Sequence, residues 1–312
     1  MGKLGSKLLL LPHRNGTLDI ARLIAAFGIV LFHSGAPGRS IGYAALPFFL
    51  ILLVLLGLPA ASHQRFERFA ASRAQRLLVP WIVWSAIYGA IKLLEVGLTN
   101  RTLYQEFSIS MLVTGPALHL WFLPFAFVAC LLLPPMQRLW PATNTGRRLM
   151  LGFVLFASFA SFGLQQGGTL PTPIAQWAMA LPAIGLGLAF GLSRSENALL
   201  VASAVGVLLI GILAYLVGWT NGLLQLGLAS AASLLCLAMH SRESSLSRLC
   251  AQTSLTVYLV HPLLLSVLTR TTNFVEHSLP IAVAAIVASF LFACVSIYTI
   301  KLVNNTAVKA SL

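Results

Sequence analysis

Three ionisable side chains, Asp19, Arg22 and His33, lie within the first long apolar segment of the chain, residues 18–35. Arg22 and His33 are eleven residues apart, which is nearly three helical turns at about 3.6 residues per turn. The two side chains therefore share one face, about 16 Å apart along the axis, and Asp19 lies on that face one turn before Arg22. An ionisable group inside a membrane span costs about 3 kcal/mol or more, so this face predicts a functional site.

Histidine is the residue on this face best suited to proton transfer. Its ordinary pKa, about 6.5, lets it accept and return a proton near neutral pH. His33 is therefore the candidate general base, and Arg22 and Asp19 are the accompanying catalytic candidates. Two simpler interpretations stay open: Asp19 and Arg22 form an ion pair at the start of the helix, and His33 is a hydrogen-bonded histidine near its end.

A second candidate site is a pair of arginines, Arg73 and Arg76, just before the apolar residues that begin at Leu77. If this segment is helical, the two guanidinium groups lie one turn apart and can clamp phosphate oxygens by charge-assisted hydrogen bonds. The competing interpretation is that the arginines contact anionic lipid, as basic residues in cytoplasmic loops commonly do.

Two further histidine motifs are weaker candidates for lining a substrate site or pore. His119 and Trp121 begin an apolar segment, where a tryptophan is expected as an interfacial anchor. Tyr258 and His261 lie inside a later segment, and His261 directly precedes Pro262. A polar residue at that position can simply satisfy carbonyl groups that the proline leaves without a donor.

The elements that must hold these residues are membrane helices. The chain has 312 residues, of which 58% are hydrophobic and only 9% charged, whereas soluble domains carry about 25% charged residues. A spanning helix needs about 20 mostly apolar residues. Ten segments fit: 18–35, 41–60, 77–97, 118–137, 148–165, 174–192, 198–217, 219–239, 253–270 and 280–302. We therefore expect an all-α polytopic membrane bundle of about ten helices, forming one integral-membrane domain over residues 1–312.

The distribution of basic residues predicts the orientation of this bundle. With ten spans, fifteen Lys and Arg residues fall on one side and only Arg39, Arg101 and Arg270 on the other. Cytoplasmic loops collect Lys and Arg, so both termini are expected in the cytoplasm and the protein in the inner (cytoplasmic) membrane. The net charge of +13 comes from having only seven acidic residues. It therefore reflects topology and membrane lipids, and does not indicate nucleic-acid binding.

Taken in order, four motifs resemble those of the acyltransferase-3 family of polytopic membrane enzymes. Leu18-Asp19 with Arg22 and His33 looks like the first-helix motif, and Arg73-x-x-Arg76 before Pro80 is similar to the second. His119-Leu120-Trp121-Phe122-Leu123 and Tyr258-Leu259-Val260-His261-Pro262 resemble the later two. Many members follow the Trp-Phe-Leu element with a glutamate; Pro124 to Phe127 stand here, so no carboxylate carries over.

The resemblance implies an O-acyltransferase with acetyl-CoA or another acyl-CoA as donor and no metal. The acceptor would be a hydroxyl of a cell-surface or exopolysaccharide sugar or of its lipid-linked glycan precursor, with the polysaccharide biosynthesis machinery as a partner. Arg73 and Arg76, with Arg22, would hold the donor phosphates at the cytoplasmic face, and Asp19 would orient Arg22. His33 would deprotonate the acceptor; direct transfer and a transient acyl-histidine both fit.

Two other functions compete with the enzyme. A transporter, flippase or export component for polysaccharide needs polar residues scattered over several spans or matched broken helices. Here the ionisable residues concentrate in the first segment and at the cytoplasmic end of the third. A purely structural membrane subunit would leave the shared face of Arg22 and His33 without a purpose.

Overall fold

The structure is a computed structural model that describes residues 15–99, 101–168, 170–239 and 241–310, with side chains as far as 303. Lys3, Lys7 and Arg14, which contribute to the predicted orientation, lie outside these ranges, as does the side chain of Lys309. Every regular element within the described ranges is helical, which confirms the all-α prediction. The helices are α1 (Gly16–Ser34), α2 (Arg39–Gly42), α3 (Ala45–His63), α4 (Phe66–Leu98), α5 (Leu103–Glu106), α6 (Met111–Thr114), a 3-10 turn (Leu118–Trp121), α7 (Phe122–Leu131), α8 (Leu133–Arg138), α9 (Asn144–Leu164), α10 (Ile174–Ser193), α11 (Asn197–Leu216), α12 (Leu223–Ala238), α13 (Ser245–Thr271) and α14 (Leu279–Ala310).

Nine helical stretches in the described ranges are long and apolar enough to cross a membrane, so the chain is a multi-pass helical protein. They match nine of the ten predicted segments. The remaining segment, predicted at 219–239, forms the 16-residue helix α12. At about 1.5 Å per residue this helix extends about 24 Å, short of a hydrocarbon core of about 30 Å. Its crossing of the membrane, and with it the cytoplasmic placement of both termini, stays a prediction.

Local sequence explains where α1 begins and ends and where α13 begins. Asn15 caps α1, because its side-chain oxygen accepts a hydrogen bond from the backbone N–H of Thr17 at 3.0 Å. The helix ends at Gly35, whose positive φ of 72° closes the last turn onto the Phe32 carbonyl. Helix α13 begins behind Ser244, which exchanges hydrogen bonds with Ser247 in a capping box.

The helices form two compact units. The first contains the described residues up to Ala45 and those from Ala232 onward, and its core is the packing of α1 against α13 and α14. Buried alanine and valine side chains, Ala26 and Val30 on α1 with Val257 and Val260 on α13, allow this packing.

The second unit, Leu46–Ala231, is built around two groups of helices. Helices α9, α10 and α11 pack together around Leu151, Val154, Ala189 and Leu199, and α4 packs on α7. Many large apolar side chains of α4 and α11 stay exposed, as expected for helices that face lipid. The single integral-membrane domain expected over residues 1–312 stays a prediction.

Candidate active site

Two histidines from opposite ends of the sequence meet in the first unit. His33, in the last turn of α1, and His261, in the middle of α13, are joined by a 3.0 Å contact between Nδ1 of His33 and Nε2 of His261. Their ring centroids are 4.9 Å apart. The structure thus brings together the first and last of the sequence-predicted motifs, a contact that the sequence did not predict.

Backbone carbonyl groups hold both imidazole rings in place. Nδ1 of His33 lies 3.1 Å from the carbonyl oxygen of Ile29, one turn earlier in α1. Nδ1 of His261 lies 2.7 Å from the carbonyl oxygen of Tyr258 in α13. The simpler interpretation of His261, that it satisfies a carbonyl next to Pro262, is therefore confirmed, but the same ring also reaches His33.

The two histidines differ in their exposure. His261 is completely buried and Tyr258 nearly so, whereas His33 is exposed. Phe32 contacts the His33 ring edge to face at 5.0 Å and also packs on Tyr43. His33 is thus the accessible member of the pair, and His261 contacts it from the buried side.

Asp19 and Arg22 form the ion pair that the simpler interpretation predicted. Nη1 of Arg22 lies 3.7 Å from Oδ1 of Asp19, and Asp19 is buried while Arg22 is half-buried. The carboxylate holds the guanidinium group against α1, about three turns from His33. This pairing accounts for both charges inside a membrane span, and a catalytic role for either residue stays a prediction.

Arg73 and Arg76 lie one turn apart in α4, as predicted, because this helix already begins at Phe66. The Arg73 guanidinium carbon is 4.9 Å from the ring centroid of the buried Phe69, a cation–π contact. Nε of Arg73 is buried and has no hydrogen-bond partner among the described residues. Arg76 is exposed. The pair therefore combines one anchored and one accessible guanidinium group in the second unit.

His119 and Trp121 lie in the 3-10 turn before α7, also in the second unit. Both are buried: His119 contacts the Tyr88 ring edge to face at 5.3 Å, and Trp121 contacts Phe125 at 5.8 Å. Trp121 packs inside the protein and is not an exposed interfacial anchor. A substrate-lining role for these residues, and for Tyr258 and His261 in the first unit, stays a prediction.

Two basic residues bind the carboxylate of Glu106. Nζ of Lys92 lies 3.1 Å from Oε2 of Glu106, and Arg101 donates to the other carboxylate oxygen at 2.7 Å. The hydrogen bond from Arg101, followed by that from Lys92, holds the pKa of the Glu106 carboxyl below its ordinary range. Glu106 lies fourteen residues beyond Lys92, at the end of the short helix α5, whose position the helical periodicity does not predict.

A third histidine contacts the last residue of α1 and was not predicted from the sequence. His277 adopts a positive φ of 61°, and its Nδ1 lies 3.2 Å from the carbonyl oxygen of Ser34. The residue stands in a loop without a motif, so no sequence signal indicated it. In the described part of the chain, no three His, Cys, Asp or Glu side chains form a group that could hold a metal ion.

Comparison with known proteins gives one match. The family model described as an acyltransferase domain, that of the acyltransferase-3 family, matches residues 15–299. No curated protein and no solved structure matches the chain. The matched range includes all four motifs and both histidines of the pair.

Proposed function

The chain belongs to the acyltransferase-3 family, and from this premise we propose that it moves an acyl group, acetyl in the first instance, from cytoplasmic acyl-CoA to a sugar hydroxyl. Family membership and the long apolar helices make it a multi-pass membrane acyltransferase. The proposed acceptor is a cell-surface or exopolysaccharide sugar or its lipid-linked precursor. The proposed location is the inner membrane, beside the polysaccharide biosynthesis machinery.

The observation that carries this proposal is the hydrogen bond between His33 and His261. The two ring-nitrogen contacts of His33 among the described residues, to His261 and to the Ile29 carbonyl, are both made by Nδ1. Nε2, the other nitrogen of this exposed ring, is then the atom that meets the acceptor. A histidine held in this way is the arrangement that general-base catalysis of acyl transfer requires.

The reaction follows from this arrangement. Nε2 of His33 takes the proton of the acceptor hydroxyl while the hydroxyl oxygen attacks the thioester carbonyl carbon. The tetrahedral intermediate collapses, the carbon–sulfur bond breaks, and the protonated His33 returns its proton to the CoA thiolate. The products are the O-acyl sugar and free CoA. If His33 instead attacked the thioester itself, the same nitrogen would carry the acyl group.

Arg73 and Arg76 are proposed to bind the donor phosphates. CoA is polyanionic and made in the cytoplasm, so its phosphates need cationic partners at the cytoplasmic end of a helix. Two guanidinium groups one turn apart supply them, and the buried Nε of Arg73 still lacks a hydrogen-bond partner among the described residues. This role and the role of His33 belong to separate units and are tested separately.

The proposal is tested by mass spectrometry of surface glycans from cells that carry the wild-type protein, no protein, or His33→Ala. We expect an acyl mass on the glycan in the wild type and its loss in the other two strains. General acid–base catalysis contributes about 10²–10⁴-fold, so His33→Ala should lower turnover at least about 100-fold.

His63→Ala is the matched control, because His63 is an exposed histidine in the last turn of α3. It should leave the acyl mass intact, and both variants should reach the membrane in wild-type amounts. Wild-type acylation in His33→Ala would exclude His33 as the base. An unchanged glycan in the strain without the protein, together with reduced surface polysaccharide, would favour the export function instead.

A further inference from the structure

Pro262 changes the hydrogen bonding of α13 at the residue next to the active-site pair. In an α-helix each backbone N–H donates to the carbonyl four residues earlier, so residue 262 would donate to the carbonyl of Tyr258. Proline has no N–H and cannot do so. Nδ1 of His261 lies 2.7 Å from this carbonyl oxygen and takes the place of the missing donor.

This contact determines which nitrogen of His261 carries the proton. A carbonyl oxygen only accepts hydrogen bonds, so Nδ1 of His261 must be the donor. A neutral imidazole has one N–H, and Nε2 of His261 therefore presents a lone pair. The contacts of this completely buried ring thus assign both of its nitrogens.

The lone pair on His261 in turn determines the proton position on His33. Nε2 of His261 lies 3.0 Å from Nδ1 of His33, so Nδ1 of His33 must donate. The Ile29 carbonyl, 3.1 Å from the same nitrogen, also requires a donor there. Two acceptors from different helices thus place the proton of His33 on Nδ1, and its Nε2 is left as the basic nitrogen.

We propose that Pro262, the Tyr258 carbonyl and His261 form a positioning device that keeps the general base His33 in its reactive tautomer. The device also acts after His33 has taken a proton on Nε2, because the cation donates a charge-assisted hydrogen bond to His261. A doubly protonated His261 would point an N–H at the N–H of His33. The positive charge is therefore centred on His33, from where the proton returns to the leaving thiolate.

This inference rests on the proposed function and is tested with four variants. His261→Phe keeps a ring but removes both nitrogens. His261→Gln can offer its amide oxygen in place of Nε2. Pro262→Ala restores a backbone N–H that competes with His261 for the Tyr258 carbonyl.

Pro59→Ala is the matched control. Pro59 lies within α3, so it likewise withholds a donor from the carbonyl of Leu55 four residues earlier, and Nη1 of Arg194 lies 3.5 Å from that oxygen. The control therefore removes a helix proline that also has a side chain near the carbonyl left without its donor, but in the second unit, which does not contain the histidine pair.

The assay uses the full-length protein in inverted membrane vesicles from cells that make the surface glycan. The probe is [¹⁴C]acetyl-CoA, and label in the polysaccharide fraction is measured against donor concentration. Rates are divided by the amount of correctly folded protein, determined after detergent extraction by size-exclusion chromatography.

We expect His261→Phe to lower kcat at least about tenfold with an unchanged KM for acetyl-CoA, since loss of the correct tautomer impairs the base and not donor binding. Pro262→Ala should lower kcat in the same way, His261→Gln should recover part of the rate, and Pro59→Ala should match the wild type. If His261→Phe does not fold, Pro262→Ala and His261→Gln give the answer.

Wild-type kcat in Pro262→Ala and His261→Phe, with His33→Ala inactive, would overturn the positioning device and leave the proposed function standing. An equal loss of kcat in Pro59→Ala and Pro262→Ala would also overturn it. Replacing any helix proline would then lower the rate, whether or not a histidine pair depends on that proline. Activity in His33→Ala would instead exclude His33 as the base, and an unlabelled polysaccharide fraction with the wild-type protein would refute the proposed function itself.

Discussion

A single methyl group at Gly42 should push α2 away from α1 and disturb the histidine pair. A Cβ added at Gly42 would lie 2.5 Å from the backbone oxygen of Gly28 and 3.3 Å from the backbone nitrogen of Phe32. Conversely, a Cβ at Gly28 would lie 3.0 Å from the Gly42 oxygen. Two backbones approach here, and space rather than conformation requires glycine at both positions.

The size of the effect follows from these distances. Ordinary contact begins at 3.4 Å, so Gly42→Ala must displace the backbone by about 0.9 Å. An insertion of this kind typically costs about 1–3 kcal/mol. His33 directly follows Phe32, so we expect it to move by the same distance. That movement would lengthen the 3.0 Å contact between Nδ1 of His33 and Nε2 of His261 and break the hydrogen bond. A misplacement of about 1 Å can reduce a catalytic rate about 100-fold.

Thermal unfolding in detergent tests the stability part, with a thiol-reactive fluorescent dye that reports when buried cysteines such as Cys130 and Cys250 become accessible. We expect the Tm to fall by about 2–4 °C for each kcal/mol lost. Gly211→Ala is the control, because an added Cβ there meets nothing within 4 Å. Transfer of [¹⁴C]acetyl from acetyl-CoA tests the catalytic part. A wild-type Tm and rate in Gly42→Ala, equal to those of Gly211→Ala, would refute the close packing of α1 and α2.

Two further predictions concern the second unit. Arg73→Ala should raise the KM for acetyl-CoA about tenfold or more, because it removes a charge-assisted phosphate contact. The control Arg65→Ala removes an equally charged but exposed residue just before α4 and should leave the KM unchanged. An equal rise in KM in both variants would favour lipid binding. Hydrogen bonds from Arg101 and then Lys92 lower the pKa of the Glu106 carboxyl. The ion pairs of Glu106 therefore stabilise the fold fully above the ordinary carboxyl pKa of about 4.3. This stabilisation is lost as the pH falls through the lowered pKa. Glu106→Gln should therefore lower the Tm at pH 7 by more than at pH 3, and an equal decrease at both pH values would contradict the pairing.

The helices themselves could be predicted from the sequence. Long apolar runs separated by charged residues identified the segments that became the nine long apolar helical stretches of the described ranges. Helical spacing also placed Arg22 with Asp19 and Arg73 with Arg76, because these pairs lie within one turn of one helix. Such features depend on local backbone hydrogen bonds, whose geometry is the same in every α-helix.

Contacts between segments could not be predicted in this way. Nothing in the sequence indicated that Lys92 binds Glu106, or that Trp121 is buried against Phe125, because these contacts depend on where a loop runs and how neighbouring helices pack. The limits of helices were also underestimated where polar residues extend them, as in α4, which begins at Phe66 rather than at Leu77.

The contact between His33 and His261 shows the division most clearly. The sequence by itself determined that His33 lies on a helix face with Arg22, and that His261 precedes a helix-breaking proline. Only the tertiary structure brought Nδ1 of His33 to 3.0 Å from Nε2 of His261, across 228 residues of chain. The rotation and depth at which α13 packs on α1 decide this distance, and they result from the shapes of all the side chains between the helices. One helix's periodicity carries no information about them.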